Sequence, residues 1–133
     1  MATIPDTRPS TYNDLCLGEQ FISDLGIICV DDFCNPRYPQ LNAAIFKFLF
    51  DRAFAFKMVL CGINKCYIVH SDAYPVYEDL IRKYMANYFL QNGFSLTISK
   101  TGYSYDMGCF SVEPRIGNFD YIRLDNDVTK IVF

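Results

Sequence analysis

The feature that most constrains the fold is a short apolar run, Ile27-Ile28-Cys29-Val30, which ends abruptly at Asp31 and Asp32. Because the run holds no polar residue, it is typical of a strand that is buried on both faces, and such strands belong to parallel sheets with helices on either side. A helical pattern precedes the run and another follows it. A parallel-type strand followed by a crossover helix predicts an α/β fold with helices on both faces of the sheet.

The remaining pattern extends this α/β prediction along the chain. A helix is expected from Ser10 or Thr11 to just before Gly26, and a second, buried helix over residues 41–50. Strands are predicted over 56–61 and 65–70, joined by a turn short enough for an antiparallel hairpin. A third helix over 73–91 and C-terminal strands from residue 94 follow. Residues 1–9 are expected to be a flexible lead-in, and 10–133 a single domain.

Composition limits the domain count and the classes of partner. A chain of 133 residues fits one domain. Its formal net charge of −3 lacks the basic surface that a general nucleic-acid binder needs. No apolar stretch reaches the roughly 18 residues of a membrane helix, and the first residues lack a secretory signal. We therefore expect a cytoplasmic protein with no nucleic-acid or membrane partner, whose six cysteines are free thiols.

The two aspartates that end the apolar run are the first candidates for chemistry. In an open α/β sheet, ligands bind outside the carboxyl ends of the strands, where Asp31 and Asp32 would lie. Two carboxylates at that edge are suited to a hard divalent cation such as Mg²⁺, which prefers oxygen ligands. The alternative is structural, since acidic residues often solvate a strand end and begin the following loop.

The cysteines and the single histidine are weaker candidates. Two C-x4-C pairs occur, Cys29/Cys34 and Cys61/Cys66, but the first member of each pair falls inside a predicted strand. We therefore expect these thiols to pack as small apolar groups rather than to bind zinc. A cysteine nucleophile needs a histidine partner, and His70 closes a predicted strand, where a surface or capping role is expected. None of the seven glycines forms a phosphate- or nucleoside-binding loop.

Three stretches, in matching order and spacing, resemble the second half of class I S-adenosylmethionine-dependent methyltransferases. The branch that they resemble includes the macrocin-type sugar O-methyltransferases. Together they span residues 10–69. The stretches are Thr11-Tyr12-Asn13-Asp14-Leu15, then Leu25-Gly26-Ile27-Ile28-Cys29-Val30-Asp31-Asp32-Phe33 continued by Asn35-Pro36-Arg37-Tyr38-Pro39, then Gly62-Ile63-Asn64-Lys65 followed by Cys66-Tyr67-Ile68.

The resemblance implies a fold, a reaction and a set of site residues. It implies part of a Rossmann-like sheet, with Ile27–Asp31 as the fifth strand and residues 56–70 as the final antiparallel hairpin. It implies metal-assisted O-methyl transfer from S-adenosylmethionine to a hydroxyl of a sugar or other small molecule. Asp31 and Asp32 become Mg²⁺ ligands and catalytic residues, and Asn35 lies in the substrate-binding loop. The metal would lower the pKa of the acceptor hydroxyl and orient it.

The chain also departs from the family that it resembles. The family's first four strands, which carry the glycine-rich cofactor loop and a third metal-binding aspartate, have no counterpart in the sequence. The chain therefore looks truncated, and its fifth strand would expose an unpaired edge. We expect a homodimer or a complementing chain at that edge, unless the N-terminal segment covers it. The alternative function is a non-catalytic remnant that serves as a folding or interaction module, or as one half of a split enzyme.

Overall fold

Helices and strands follow one another along the chain in the order that the apolar pattern predicts. The computed structural model describes residues 7–94, 96–101, 108–114 and 131–132. Its helices are α1 (Thr7–Phe21), α2 (Pro39–Asp51), α3 (Tyr74–Leu80) and α4 (Ala86–Gln91). Its strands are β1 (Ile27–Asp31), β2 (Phe56–Gly62), β3 (Lys65–His70), β4 (Leu96–Thr101), β5 (Cys109–Pro114) and β6 (Ile131–Val132).

Two helical regions differ in detail from the predictions. Helix α1 begins at Thr7, inside the stretch 1–9 that was expected to be a lead-in, and residues 1–6 lie outside the described residues. The predicted helix over 73–91 has three parts, because a π-helical segment, Ile81–Met85, joins α3 to α4. No helix in the described part of the chain is long and apolar enough to cross a membrane.

The strands form one open mixed sheet in the order β1-β3-β2-β5-β4-β6. Strands β1 and β2 are each antiparallel to β3, so they run parallel to one another with α2 as the crossover between them. Strand β5 pairs with β2 in parallel, whereas β4 is antiparallel to both β5 and β6. The predicted strand–helix–strand crossover and the predicted hairpin are therefore confirmed.

The prediction that β1 is buried on both faces within a parallel sheet is wrong. Among the described residues, β1 is an edge strand that pairs antiparallel with β3. Its burial alternates: Ile27, Cys29 and Asp31 are exposed, and the two residues between them are half-buried. The physical reason is that the helical stretch 74–91 packs over the neighbouring strands and leaves this face of β1 uncovered. Cys29 is consequently exposed rather than packed in a core.

Each face of the sheet carries its own apolar core. On one face, α1 and α2 pack against β2 and β3, with Ile45, Phe48 and Ile68 fully buried. On the other face, the helical stretch 74–91 packs against β2 to β5, and Val69 is fully buried there. Burying one such side chain contributes about 1.5–3 kcal/mol. Neighbouring residues of β3 thus belong to opposite cores, as a central strand requires.

Polar contacts join α1 to the end of α2. The guanidinium of Arg52 donates from Nε and Nη2 to Glu19 Oε2, at 2.7 and 2.5 Å. Its Cζ lies 3.9 Å from the centroid of the Phe48 ring. A two-point arginine–carboxylate contact fixes orientation as well as distance. Helix α1 also lies close over β1, because a Cβ built at Gly18 would contact Ile28 Cδ1 at 3.5 Å.

Candidate functional site

The loop after β1 holds the two candidate aspartates in different environments. Asp31 is the last residue of β1 and lies opposite Lys65, the first residue of β3. The chain then turns sharply, because Asp32 and Cys34 both have left-handed backbone conformations, with φ of 59° and 60°. Asp32 N donates to Asp31 Oδ1 at 3.0 Å. The two carboxylates are therefore adjacent in sequence but serve different neighbours.

Asp31 forms an ion pair at the surface. Lys65 Nζ donates to Asp31 Oδ1 at 2.8 Å. The side chain of Asp31 is 68% exposed and that of Lys65 is 43% exposed. This hydrogen bond holds the pKa of the Asp31 carboxyl below its usual value and raises the pKa of Lys65. An exposed pair of this kind adds little stability. Its main consequence is an ionised carboxylate and an ammonium that lie side by side at the sheet edge.

Asp32 is a connecting residue within the protein. Its Oδ1 accepts hydrogen bonds from Asn35 Nδ2 at 2.8 Å and from Asn64 Nδ2 at 2.9 Å. Asn64 O also accepts from Phe33 N at 3.1 Å. These bonds attach the loop after β1 to the tip of the β2–β3 hairpin. Asn35 is committed to the same network, because its Oδ1 accepts from Arg37 N at 3.0 Å.

The tip of the hairpin is a strained two-residue turn. Ile63 and Asn64 both have positive φ, 52° and 64°, which is the geometry of a type I′ turn. Asparagine tolerates this region, but a β-branched residue there is an outlier. Gly62, just before the turn, has φ of 138°, and a Cβ built on it would lie 2.1 Å from Val112 O. The close approach of β2 to β5 therefore requires glycine at this position.

A pocket of about 210 Å³ lies between this hairpin and the helical stretch 74–91. Most of its lining is apolar, and its polar side chains are those of Lys65 and Tyr67. Burial raises the pKa of Tyr67, so its hydroxyl stays protonated. Asp31 is not among the lining residues, but it forms an ion pair with Lys65, which is one of them. The lining residues are Leu60, Cys61, Gly62, Ile63, Lys65, Tyr67, Met85, Phe89 and Val112.

The aspartate pair does not fit Mg²⁺ as these side chains are arranged. No group of three or more His, Cys, Asp or Glu side chains that could hold a metal ion occurs in the described part of the chain. A cation at Asp31 would lie against the Lys65 ammonium, 2.8 Å from the same oxygen, and like charges at such distances repel. At Asp32 it would compete with two amide donors. Magnesium binding therefore stays a prediction from the resemblance.

S-adenosylmethionine does not fit this pocket either. Pockets for molecules of that size usually have volumes of about 300–1,000 Å³, whereas the pocket described above has about 210 Å³. It also lacks a glycine-rich loop. Its one glycine, Gly62, lies in close contact with the backbone of Val112. This pocket is therefore too small to enclose the whole cofactor.

Cys66, Cys61 and Cys109 lie at least partly within the core, whereas Cys29 and Cys34 are exposed. Cys66 is buried, and burial raises the pKa of its thiol to about 12. Cys61 Sγ lies 3.8 Å from Cys109 Sγ, and their hydrogen bond, together with burial, raises the pKa of Cys61. His70 is half-buried with its ring centroid 4.3 Å from that of Phe56.

Sequence reasoning found the two aspartates but missed their partners. Lys65 and Asn64 were noted only as part of a short resemblance, without a role. Their role follows from register, since β3 pairs with β1 so that Lys65 lies opposite Asp31. Met85 and Phe89, which complete the pocket, carried no distinguishing pattern within a helix that is apolar on several sides. Only the pairing of strands brings these residues together.

Comparison with known proteins gives no match: no family model, no curated protein and no solved structure is similar to this chain. Evidence about function therefore comes from the sheet order, from the edge position of β1 among the described strands and from the geometry around Lys65.

Proposed function

We propose that this chain is the acceptor-side half of a methyltransferase-type catalytic unit. A further polypeptide segment supplies the cofactor-binding half along the side of β1 that has no partner among the described strands. The observation that carries the proposal is the position of β1 at the edge of the sheet, directly before the loop with the two aspartates. An apolar edge strand presents unpaired N–H and C=O groups that another strand can pair with.

Exposed apolar side chains in β1 and in the segment before it support the proposal. Ile27 is 44% exposed within β1, and Leu17, Phe21 and Leu25 are exposed in the segment that precedes it. Edge strands that face water are usually protected by charged residues or proline. The apolar side chains of this segment are instead what an interface needs at its centre.

The order of elements also supports a likeness to the methyltransferase fold. The family implies a fifth strand, a helix and a final antiparallel hairpin, and β1, α2 and the β2–β3 hairpin occur in that order with β3 next to β1. In the family the fifth strand pairs with the fourth on its other side. The corresponding side of β1 has no partner among the described strands.

In such a unit, the residues of this chain would bind and orient the acceptor. S-adenosylmethionine, when bound by the other half, supplies the methyl group. The Asp31 carboxylate is exposed beside Lys65, and this position lets it receive the proton of an acceptor hydroxyl. Its lowered pKa makes Asp31 a weak base, so the nearby Lys65 ammonium would have to stabilise the oxyanion that forms. Asp32 acts as a positioning residue, because its hydrogen bonds are made within the protein. Asn35 supports the same loop.

Isothermal titration of S-adenosylmethionine into the 133-residue chain tests one half of this proposal. We expect no heat of binding, because the described pocket is too small for the cofactor. Binding by the chain alone contradicts the proposal, because the chain would then not depend on a second half.

The second part of the proposal, assembly with a cofactor-binding polypeptide, is tested by mixing this chain with a polypeptide that carries the missing glycine-rich loop. Such a polypeptide is sought first in the neighbouring reading frame. We expect cofactor binding and methyl transfer by the mixture but by neither component alone. Ile27→Lys should weaken this assembly, whereas Val76→Lys, at a similarly exposed apolar position on α3, should not. Equal behaviour of the two variants, or no binding by the mixture, contradicts the proposal.

A non-catalytic interaction module is the second candidate function. The observation that favours it is the closed Asp31–Lys65 ion pair, which satisfies the carboxylate without any ligand. Asp31→Asn distinguishes the two functions. It should abolish methyl transfer by the assembled unit without changing assembly if Asp31 accepts the proton. It should change neither if the chain only supports a partner.

A further inference from the structure

We infer that the pocket between the hairpin and the helical stretch 74–91 binds a monocyclic aromatic molecule that carries one hydroxyl group. Its identity as the methyl acceptor rests on the proposed function, whereas its binding does not. Four observations converge on this pocket: its size and lining, the ion pair at its edge, the strained turn beside it and the π-helical segment that forms its wall.

The size and lining of the pocket suit a single aromatic ring. Its volume is about 210 Å³, and most of its exposed lining belongs to apolar groups such as Leu60, Met85 and Phe89. An apolar protein cavity of about 150 Å³ is large enough to bind benzene. The additional volume accommodates one or two substituents on the ring.

The ion pair at the edge of the pocket favours a hydroxyl substituent. Lys65 lines the pocket, and its Nζ donates to Asp31 Oδ1 at 2.8 Å. A hydroxyl group can donate to a carboxylate and accept from an ammonium at the same time, whereas a carboxylate ligand can only accept. A neutral hydroxyl therefore joins this pair without displacing either member, and an anionic head group would be repelled by Asp31.

The turn beside the pocket holds a strained residue whose side chain lines the pocket. Ile63 adopts a φ of 52°, its side chain is 63% exposed, and it lines the pocket. A β-branched residue in this conformation costs free energy that asparagine or glycine would avoid. Such strain is concentrated at functional sites, and here it places an apolar side chain at the pocket wall.

The opposite wall comes from an irregular helix. Met85 lines the pocket and ends the π-helical segment Ile81–Met85. π-Helical turns within α-helices are rare and occur frequently at functional sites. Methionine is flexible and polarisable, and it contacts aromatic rings favourably. The wall can therefore adjust to a ring that enters the pocket.

Methionine-methyl NMR of the 133-residue chain tests this inference with a matched pair of probes, 4-methylphenol and toluene. Toluene lacks only the hydroxyl group. We expect 4-methylphenol to shift the Met85 methyl signal and to leave that of Met58, which is buried in the opposite core, unchanged. Hydrogen bonds to charged groups should make toluene bind about tenfold more weakly or worse. No shift of Met85 with either probe at millimolar concentration overturns the inference, and equal affinities overturn its hydroxyl part.

Two variants separate the site from the stability of the fold. Lys65→Met should remove the preference for 4-methylphenol over toluene while the Met58 signal stays native-like. Ile63→Asn should raise the melting temperature, because it relieves the positive-φ strain, and yet weaken the binding of both probes. A preference that survives Lys65→Met, or unchanged binding by Ile63→Asn, overturns the assignment of that residue. Cofactor plays no part in these measurements, so their outcome is independent of the missing half.

Discussion

At the scale of single residues, two adjacent aspartates have separate roles. Asp31 faces solvent and pairs with Lys65, whereas Asp32 holds Asn35 and Asn64 together. The difference arises from the backbone, because the positive φ of Asp32 turns its side chain toward the hairpin while Asp31 keeps the direction set by β1. Substitutions at the two positions should therefore affect different properties of the protein.

Asp32→Ala is expected to destabilise the fold. The side-chain amides of Asn35 and Asn64 lose a charged acceptor. A hydrogen bond to a charged group contributes about 1.5–3 kcal/mol to stability. We expect the lost hydrogen bonds to lower the free energy of unfolding by about 2 kcal/mol, measured by urea denaturation, and alanine at the positive φ of residue 32 to add about 1–2 kcal/mol of strain. Asp31→Ala is the matched control and should change stability much less, because its ion pair is exposed. Equal losses for the two variants would contradict the separate roles.

Gly62→Ala should be more harmful than Gly93→Ala. Both glycines have positive φ, but a Cβ at Gly62 meets Val112 O at 2.1 Å, whereas nothing lies within 4 Å of a Cβ at Gly93. Conformational strain alone costs about 1–2 kcal/mol, so Gly93→Ala should lose about that much. Gly62→Ala should lose more, with a correspondingly lower melting temperature. The reverse order of melting temperatures would show that β2 and β5 do not approach closely there.

Sequence reasoning at this scale finds residue types but not their partners. The aspartates are recognisable because two charges follow an apolar run. The roles of Lys65 and Asn64 depend on strand register, which the sequence does not specify locally. The strain at Ile63 is equally hidden, because isoleucine is a poor residue for a type I′ turn and no pattern predicts a positive φ there.

At the scale of elements, an ionic cluster joins α3 to β4. Glu78 Oε1 accepts from Lys100 Nζ at 2.6 Å and from Arg82 Nη2 at 3.1 Å. Partial burial alone would raise the pKa of Glu78, but the hydrogen bonds from the two cations outweigh it, and the pKa is lowered overall. The cluster therefore stabilises the fold only while Glu78 is ionised.

Stability should consequently decline in acid. The folded-state pKa of Glu78 lies below its ordinary value of 4.5, so its contribution is fully present above 4.5 and is lost as the pH falls through the folded-state value. Urea denaturation at a series of pH values should show this decline, and Glu78→Gln should flatten it. A Glu78→Gln curve as steep as that of the unmodified chain would contradict the role of the cluster.

The boundaries of three elements followed closely from the sequence, but those of α1, which is Thr7–Phe21 and not a helix from residue 10 to just before Gly26, and the burial of one strand did not. Strands β2 and β3 and helix α2 lie within two residues of their predicted bounds, because apolar spacing, proline and turn residues act locally. The run in β1 is apolar on both faces, which predicts two covering layers. Coverage depends on where distant helices pack, and the stretch 74–91 leaves Ile27 and Cys29 exposed. The local pattern and the tertiary structure therefore disagree at this strand.

At the scale of the whole molecule, the exposed edge strand β1 is the basis of the proposed function. Among the described residues, the sheet has an apolar edge at β1 and exposed apolar side chains at Leu25 and Ile27. An edge of this kind is a template for pairing with another strand. In the absence of the proposed cofactor-binding half, two copies of the chain should pair with each other through β1 about a two-fold axis.

Sedimentation of the 133-residue chain over a range of concentrations tests the central claim, that the edge strand β1 pairs with a strand of another polypeptide. We predict a concentration-dependent dimer that Ile27→Lys disrupts and Val76→Lys leaves intact, with the same far-UV spectrum for all three proteins. A folded monomer at every concentration, or a dimer that Ile27→Lys does not weaken, would contradict the account.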